Sequence, residues 1–323
     1  MKVFVTGAGG FIGSHLCEAL ANKKYKVKAF VKYNSRNFWG WLENFKYKEN
    51  IKVISGNIRD YDSLKTAMRD VDIVFHLAAL VGIPYSYISP LAYIRTNIEG
   101  TYNVLEVARE LKIEKVVHTS TSEVYGTAQF IPITEEHPIN PQSPYAATKA
   151  AADHLALSFY RSFGLPVTVI RPFNTYGPRQ SARAIVPTII TQILSGRKRV
   201  VLGHLHPTRD LTYVKDTVEA FVKIAEKDDA IGEVINVGSD LEISVENLVK
   251  VIAGIIGCKV EVHVEKERQR PDQSEVKRLR ACNKKAKKLL GWTPSYTLEE
   301  GLKETIEWFR ENLDFYKPEI YNV

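Results

Sequence analysis

The chain begins with a β-branched run, Lys2-Val-Phe-Val-Thr6, that passes directly into Gly7-Ala-Gly-Gly-Phe-Ile-Gly13 and then into a helical pattern. No other feature narrows the fold so far. A strand that turns into a helix over this glycine spacing needs Gly7 for the tight turn and Gly13 for close helix–strand contact. Gly10 lets a pyrophosphate approach the backbone. The helix that follows offers unpaired N–H groups and the positive end of its dipole to an anion, with Phe11 and Ile12 expected beside the cofactor. Glycines alone also make plain turns. Placed between a first strand and a first helix, they predict a dinucleotide site.

The rest of the first half agrees. Val3–Val5, Val27–Val31, Val53–Ile54, Ile73–Phe75, Val116–Val117 and Val167–Ile170 are short apolar runs without alternation, as strands covered on both faces should be. Helical patterns lie between them at Gly13–Ala21, Ser63–Arg69, Leu91–Leu111 and Ser143–Phe163. This rhythm predicts an α/β fold, a Rossmann-type doubly wound parallel sheet. After Arg171 the rhythm breaks at Pro172, Gly177, Pro178 and Pro187. A helix is expected near Thr188–Leu194, then a strand–helix–strand over Leu211–Val237 that returns to the sheet. A strand follows at Lys259–Val264, and the charge run Lys284–Lys288 reads as the solvated face of a short helix ending at Gly291. The expected division is a dinucleotide-binding lobe from residues 1–171 and 212–238, with a smaller, mostly helical substrate lobe from 172–211 and 239–323.

With 323 residues, 45% of them apolar and 25% charged, the chain falls outside the disordered and fibrous classes. Its net charge of +7 suits a phosphate-bearing small molecule and cofactor better than nucleic acid, given the glycine motif. Cys17, Cys258 and Cys282 are odd in number and widely spaced, which predicts a reducing compartment and neither disulfide nor zinc site. His204 and His206 have no carboxylate or thiol at ligand spacing, so no metal is expected. The strand at the N-terminus leaves no room for a signal peptide, and no apolar run reaches membrane-spanning length. A cytoplasmic location is expected.

Two further features bear on chemistry. After the second strand, Ala29-Phe-Val-Lys-Tyr-Asn-Ser-Arg36 holds no acidic residue for a ribose 2′-hydroxyl. Lys32, Ser35 and Arg36 instead suit a 2′-phosphate, with Asn34 also expected beside the cofactor, which favours NADP over the alternative, NAD. In Tyr145-Ala-Ala-Thr-Lys149, the four-residue spacing puts phenol and ammonium on one helix face, where the cation is expected to lower the phenol pKa.

With the N-terminal glycines, these residues resemble the extended short-chain dehydrogenase/reductase family over nearly the whole chain. Further marks are His76-Leu-Ala-Ala79, Asn97, Thr119-Ser-Thr-Ser-Glu-Val-Tyr-Gly126, Arg171-Pro-Phe-Asn-Thr-Tyr-Gly-Pro178 and Thr208-Arg-Asp210. The resemblance implies that Tyr145 and Lys149 are the catalytic pair, with Thr121 helping to hold a sugar. It implies nucleotide-diphosphate contacts from Asn174, Arg209 and Arg270, and adenine contacts from Asn57 and Ile58. Leu77, Ala78, Ala79 and Asn97 are then expected beside the cofactor, and Arg183 beside the substrate.

The Thr121-Ser122-Glu123 loop narrows the reaction. Sugar-nucleotide 4,6-dehydratases need a base at sugar carbon 5 and an acid for the carbon 6 oxygen. Ser-Glu in this loop is similar to GDP-mannose 4,6-dehydratases and to UDP-glucuronate decarboxylases. Ser122 is a poor acid, so Glu123 is expected to serve both steps. Tyr33–Gly40 and Pro178–Ala184 resemble the UDP- or GDP-N-acetylglucosamine 4,6-dehydratases of nonulosonic (legionaminic-type) acid pathways. The alternatives are a UDP-glucuronate decarboxylase, a UDP-sugar 4-epimerase, and a dinucleotide-sensing regulator without turnover. Apolar stripes on Leu91–Leu111 and Ser143–Phe163, in a family that commonly pairs these helices, imply a homodimer or larger assembly.

Overall fold

The computed structural model describes residues 1–43, 45 and 48–322. The chain runs β1 (Lys2–Thr6), α1 (Phe11–Asn22), β2 (Lys26–Lys32), β3 (Ile51–Gly56), α2 (Tyr61–Ala67) and β4 (Ile73–His76). It continues through α3 (Ile83–Ile88), α4 (Pro90–Tyr93), α5 (Gly100–Glu110), β5 (Lys115–Thr119), α6 (Pro144–Phe163) and β6 (Val167–Pro172). Next come β7 (Asn174–Tyr176), α7 (Ile185–Leu194), β8 (Arg199–Leu202), β9 (Thr208–Arg209), β10 (Leu211–Tyr213), α8 (Val214–Glu226) and β11 (Val234–Val237). The last elements are β12 (Ile243–Ser244), α9 (Val245–Ile256), β13 (Glu261–Val264), α10 (Lys284–Leu290) and α11 (Leu298–Glu311).

A seven-stranded sheet in the order β11-β6-β5-β4-β1-β2-β3 forms the centre, every neighbouring pair parallel. Helices cover both faces, so the strands are buried on both sides: β4 and β6 are buried along their whole length. The strand order reverses between β1 and β4, where the carboxyl ends of an open α/β sheet leave a crevice for ligands.

Two expectations need correction. Leu91–Leu111 is not one regular helix. Ile94–Glu99 forms a π-helical segment between α4 and α5. The cause is Asn97, whose amide Oδ1 accepts from Leu80 N at 2.8 Å while its Nδ2 donates to Leu80 O at 3.0 Å. The widened turn aims that side chain into the loop after β4 instead of along the helix surface. Second, Leu211–Tyr213 does not join the central sheet. It pairs in parallel with β7, and only β11 returns to the sheet, beside β6. The strand expected at 259–264 does form, as β13, and pairs with β8.

Helix α6 carries the candidate site, and its sequence defines both ends. Ser143 caps it by accepting from Ala146 N at 3.1 Å, Pro144 occupies the first turn, and Gly164 ends it in the left-handed region at φ 69°.

Candidate active site

The glycine loop is packed as its spacing implies. Gly7 has φ +68°, and a Cβ there would meet Ala78 N at 2.9 Å. A Cβ at Gly13 would be driven into the Gly7 carbonyl, with its carbon at 2.9 Å. At Gly10 the nearest atom is Gly7 O at 3.2 Å, so the loop surface above it is open. The first turn of α1, including Phe11 and Ile12, has no acidic residue and no side-chain cap. Its N–H groups and dipole therefore face that open surface, and the cradle fits a dinucleotide pyrophosphate.

The exit of β4 is tied to this loop. Thr6 Oγ1 accepts from Leu77 N and Ala78 N, both at 3.0 Å, so its own proton goes to His76 Nδ1 at 2.9 Å. His76 must then carry its proton on Nε2, which faces Thr101 Oγ1 at 3.0 Å, and Thr101 donates onward to Asn97 O at 2.6 Å. Burial lowers the His76 pKa well below its ordinary value, consistent with this neutral ring. Asn97 Nδ2 also reaches Thr148 Oγ1 at 3.1 Å, and Thr148 donates to Tyr145 O at 2.8 Å. One hydrogen-bonded chain thus joins the glycine loop, the stretch Leu77–Ala79 and helix α6.

Around the loop after β2, Lys32, Ser35 and Arg36 are exposed. Asn34 is used differently from its expected ligand role. Its amide donates to Lys32 O and Phe38 O and accepts from the N–H groups of Arg36 and Phe38, so the side chain holds its own turn together. Ile58 is buried beneath Gly100, and its carbonyl accepts from Asn103 Nδ2 at 3.1 Å. Asn57 Oδ1 accepts from Arg59 N at 3.1 Å.

Tyr145 and Lys149 are both buried on one face of α6. Tyr145 packs among Leu80, Ile83, Tyr87 and Tyr93, the Tyr93 ring edge-on with centroids 6.3 Å apart. Burial pushes its phenol well up from the ordinary value, a hydrogen bond with Thr121 opposes this, and the Glu123 charge adds to it. The expected lowering by Lys149 is therefore not present in the protein alone. The Lys149 ammonium instead donates to Thr119 O at 2.6 Å, and burial brings its own pKa down to about 8 against the pull of Asp153.

Opposite the phenol lies the loop after β5. Thr121 Oγ1 accepts from Glu123 N at 3.3 Å and caps a short 3₁₀ turn over Ser122–Tyr125. Ser122 and Glu123 are buried there, with Glu123 close enough to act electrostatically on both Tyr145 and Tyr87. Sequence reasoning missed Tyr87, whose hydroxyl meets Ser274 Oγ at 2.6 Å, and Tyr93. Neither carried a motif, and their place in the site depends on α3 and α4 folding over α6.

The expected diphosphate contacts come together less evenly. Arg209 Nη2 donates to Glu275 Oε1 at 2.8 Å, and Arg270 Nη1 lies 3.7 Å from the same oxygen. Asn174 Oδ1 and Arg270 Nη1 are buried without a hydrogen-bond partner, which marks them as groups a polar ligand would satisfy. Arg183 is exposed, with its Cδ 3.8 Å from a Cβ placed on Gly82, at the rim of the aromatic cluster. Glu275 was not anticipated. Among the described residues no group of three or more His, Cys, Asp or Glu could hold a metal ion, and no helix is long and apolar enough to cross a membrane. All three cysteines are free.

Comparison with known proteins agrees with this geometry. The family model described as GDP-mannose 4,6 dehydratase matches residues 4–305. The chain is 32% identical over 328 residues to dTDP-D-glucose 4,6-dehydratase of Homo sapiens, covering 98% of this chain and 92% of that one. It is 35% identical over 319 residues to UDP-glucose 4-epimerase of Mycolicibacterium smegmatis, covering 96% and 99%. The structure of DesIV, a dTDP-glucose 4,6-dehydratase from Streptomyces venezuelae with NAD bound, superposes with a TM-score of 0.88 at 28% identity, covering 98% and 99%. The dinucleotide cradle, the Tyr145–Lys149 face and these likenesses place the chain in the GDP-mannose 4,6-dehydratase family of sugar-nucleotide dehydratases and epimerases, within the short-chain dehydrogenase/reductases.

Proposed function

We propose that the protein is a sugar-nucleotide 4,6-dehydratase that converts UDP- or GDP-linked N-acetylglucosamine to its 4-keto-6-deoxy form. The observation that carries this reading is the buried Glu123 carboxylate within electrostatic reach of the Tyr145 phenol. An oxidation at carbon 4 needs only a proton acceptor such as Tyr145. Loss of water across carbons 5 and 6 needs a second base a short way along the sugar, and the burial of Glu123 beside the Tyr145 phenol supports that role for it.

A nicotinamide dinucleotide supplies reversible hydride storage when bound. Tyr145 takes the carbon 4 hydroxyl proton, with Thr121 orienting that hydroxyl and the Lys149 ammonium stabilising the phenolate. The resulting ketone acidifies carbon 5, from which Glu123 removes the proton. Glu123 then passes that proton to the carbon 6 oxygen, which leaves as water. Ser122 cannot supply it, since a hydroxyl is a poor acid at neutral pH. The hydride taken from carbon 4, which the dinucleotide would return, then adds at carbon 6 while a solvent proton replaces the one lost at carbon 5, completing the 4-keto-6-deoxy sugar. Asn174, Arg209 and Arg270 hold the diphosphate, and Arg183 lies at the sugar end. Gly7, Gly10 and Gly13 cradle the pyrophosphate, while Asn57 and Ile58 flank the adenine.

NADP is the proposed cofactor because Lys32, Ser35 and Arg36 lie exposed where an acidic residue would select NAD. Residues 1–171 with 212–238 are proposed to bind it, and 172–211 with 239–323 the sugar nucleotide. Exposed Ile88, Leu91, Tyr102 and Phe163, on α3, α4, α5 and α6, support pairing of these helices in a homodimer. A 4-epimerase is the second reading, favoured by the 35% identity to the mycobacterial enzyme.

Incubation with UDP- and GDP-sugars in deuterated water tests the assignment. The expected product has lost one water, carries deuterium at carbon 5, and leaves the cofactor unchanged. An epimerase would show neither the loss nor the deuterium, and a decarboxylase would release carbon dioxide from a glucuronate. Glu123→Gln should still reduce cofactor yet lose about 10²–10⁴-fold in turnover. Dehydration at the wild-type rate by this variant would end the proposal.

A further inference from the structure

Lys149 is one of two charged groups that α6 buries in succession. Asp153, one turn further along the same face, is 1% exposed. The end of β5 holds both: Thr119 O accepts from Lys149 Nζ at 2.6 Å, and the next residue, Ser120, donates Oγ–H to Asp153 Oδ2 at 2.6 Å. On its far side the same Oδ2 takes Arg171 Nε at 3.0 Å, and Arg171 Nη1 continues to Tyr125 OH at 2.9 Å. The other oxygen, Asp153 Oδ1, lies 3.2 Å from His118 Nε2 without hydrogen-bond geometry. The carboxylate is thus fixed from the end of β5 and from β6, paired with Arg171, and held one turn from Lys149 on the same helix face.

We propose that Asp153 is a positioning residue that keeps the Lys149 ammonium charged inside the protein and so sets the pH range in which the Tyr145–Lys149 pair works. The inference rests on the functional reading of that pair. Among the described residues, the charged and titratable groups coupled to Lys149 are Asp153 on α6, His76 on β4 and His118 on β5; Tyr145 lies one turn before it on α6, Arg171 on β6 pairs with Asp153, and Glu123 acts on Tyr145. Both histidines are buried, and burial lowers their pKa values, so near neutral pH they carry no charge. Glu123 lies across the phenol, and Arg171 opposes a second cation. Asp153 is therefore the anion that counters the desolvation of Lys149, the direction in which it acts on that ammonium.

The test reads the lysine directly, by carbon-13 NMR titration of lysine Cε in the full-length protein, with Lys149 assigned by its loss in Lys149→Met. Asp153→Asn should lower the Lys149 midpoint by roughly one to three units, the usual effect of removing an opposite charge at close range. Asp153→Glu should keep it near the wild-type value. Asp153→Asn strands the Arg171 charge and invites misfolding. The double variant Asp153→Asn/Arg171→Gln leaves neither charge unpaired, and its midpoint should lie below that of Arg171→Gln, which removes the opposing cation alone. A midpoint within a few tenths of wild type in folded Asp153→Asn, or within a few tenths of Arg171→Gln in the folded double variant, overturns the proposal. The titration needs no substrate, so an enzyme inactive on every sugar nucleotide would defeat the functional reading and leave this result standing.

Discussion

Replacing Gly7, Gly10 and Gly13 of the first loop by alanine separates the residues that build the fold from the one that serves the ligand. At Gly7 the new side chain suffers twice. An alanine at φ +68° costs about 1–2 kcal/mol in the left-handed region, and its Cβ would press on Ala78 N at 2.9 Å. At Gly13 the backbone is helical and alanine gains about 1 kcal/mol of propensity. Against this, the Cβ is driven into the Gly7 carbonyl, where neither backbone can yield without moving α1 off β1. Overpacking of this kind costs about 1–3 kcal/mol. At Gly10 the only near atom is Gly7 O at 3.2 Å, so Gly10→Ala should cost no more than about 0.5–1 kcal/mol, mostly from a poorer helix N-cap. Its methyl group occupies the open surface where a pyrophosphate must approach. With about 2–4 °C per kcal/mol for a chain of this size, Gly7→Ala should lower Tm by several degrees and Gly10→Ala by about 4 °C at most. Isothermal titration should show the opposite order for the dinucleotide, with Kd for Gly10→Ala raised about tenfold or more, which is about 1.4 kcal/mol. A Gly10→Ala protein that binds the dinucleotide like wild type, or that unfolds as early as Gly7→Ala, would refute the argument.

Other outcomes follow from the same geometry. NADP should bind more tightly than NAD to the cofactor-free protein, by about 1.5–3 kcal/mol, and Lys32→Ala with Arg36→Ala should erase the difference; calorimetry showing equal affinity in wild type contradicts this. Because burial brings Lys149 down to about 8, its ammonium is charged below that pH and lost above it, so kcat should fall as pH rises through about 8. The sign for stability is the reverse: an unfolded lysine keeps its proton to about 10.4, so between the two values the native state binds fewer protons and stability should rise with pH, as denaturant titrations at stepped pH can measure. Light scattering at micromolar concentration should give a dimer mass or larger, and Leu91→Asp with Phe163→Asp should move it toward monomer.

Much of this protein is visible in local sequence because the relevant physics is local. The glycine spacing, the unalternating apolar strands and the Ser143-Pro144 start of α6 are short-range signals, and each appears in the structure where the spacing places it. The Tyr145–Lys149 pair is equally local, since residues four apart share a helix face. Boundaries drifted by a residue or two, as at α2, which begins at Tyr61 because Asp60 caps it.

What only the tertiary structure decided depends on groups far apart in sequence. Asn97 widens a helix into a π segment because the Leu80 backbone, 17 residues earlier, draws its amide inward; periodicity alone cannot register that competition. Leu211–Tyr213 has the composition of a sheet strand, yet its partner is β7, since β11 takes the place beside β6. The sign of the Tyr145 shift was inverted for the same kind of reason. Spacing puts a cation nearby, but burial and the Thr119 carbonyl, both supplied by the fold, decide what that cation does. Charge type and spacing are written along the chain, whereas solvation and partner choice are set by what packs around them, and in this site the second pair governs the chemistry.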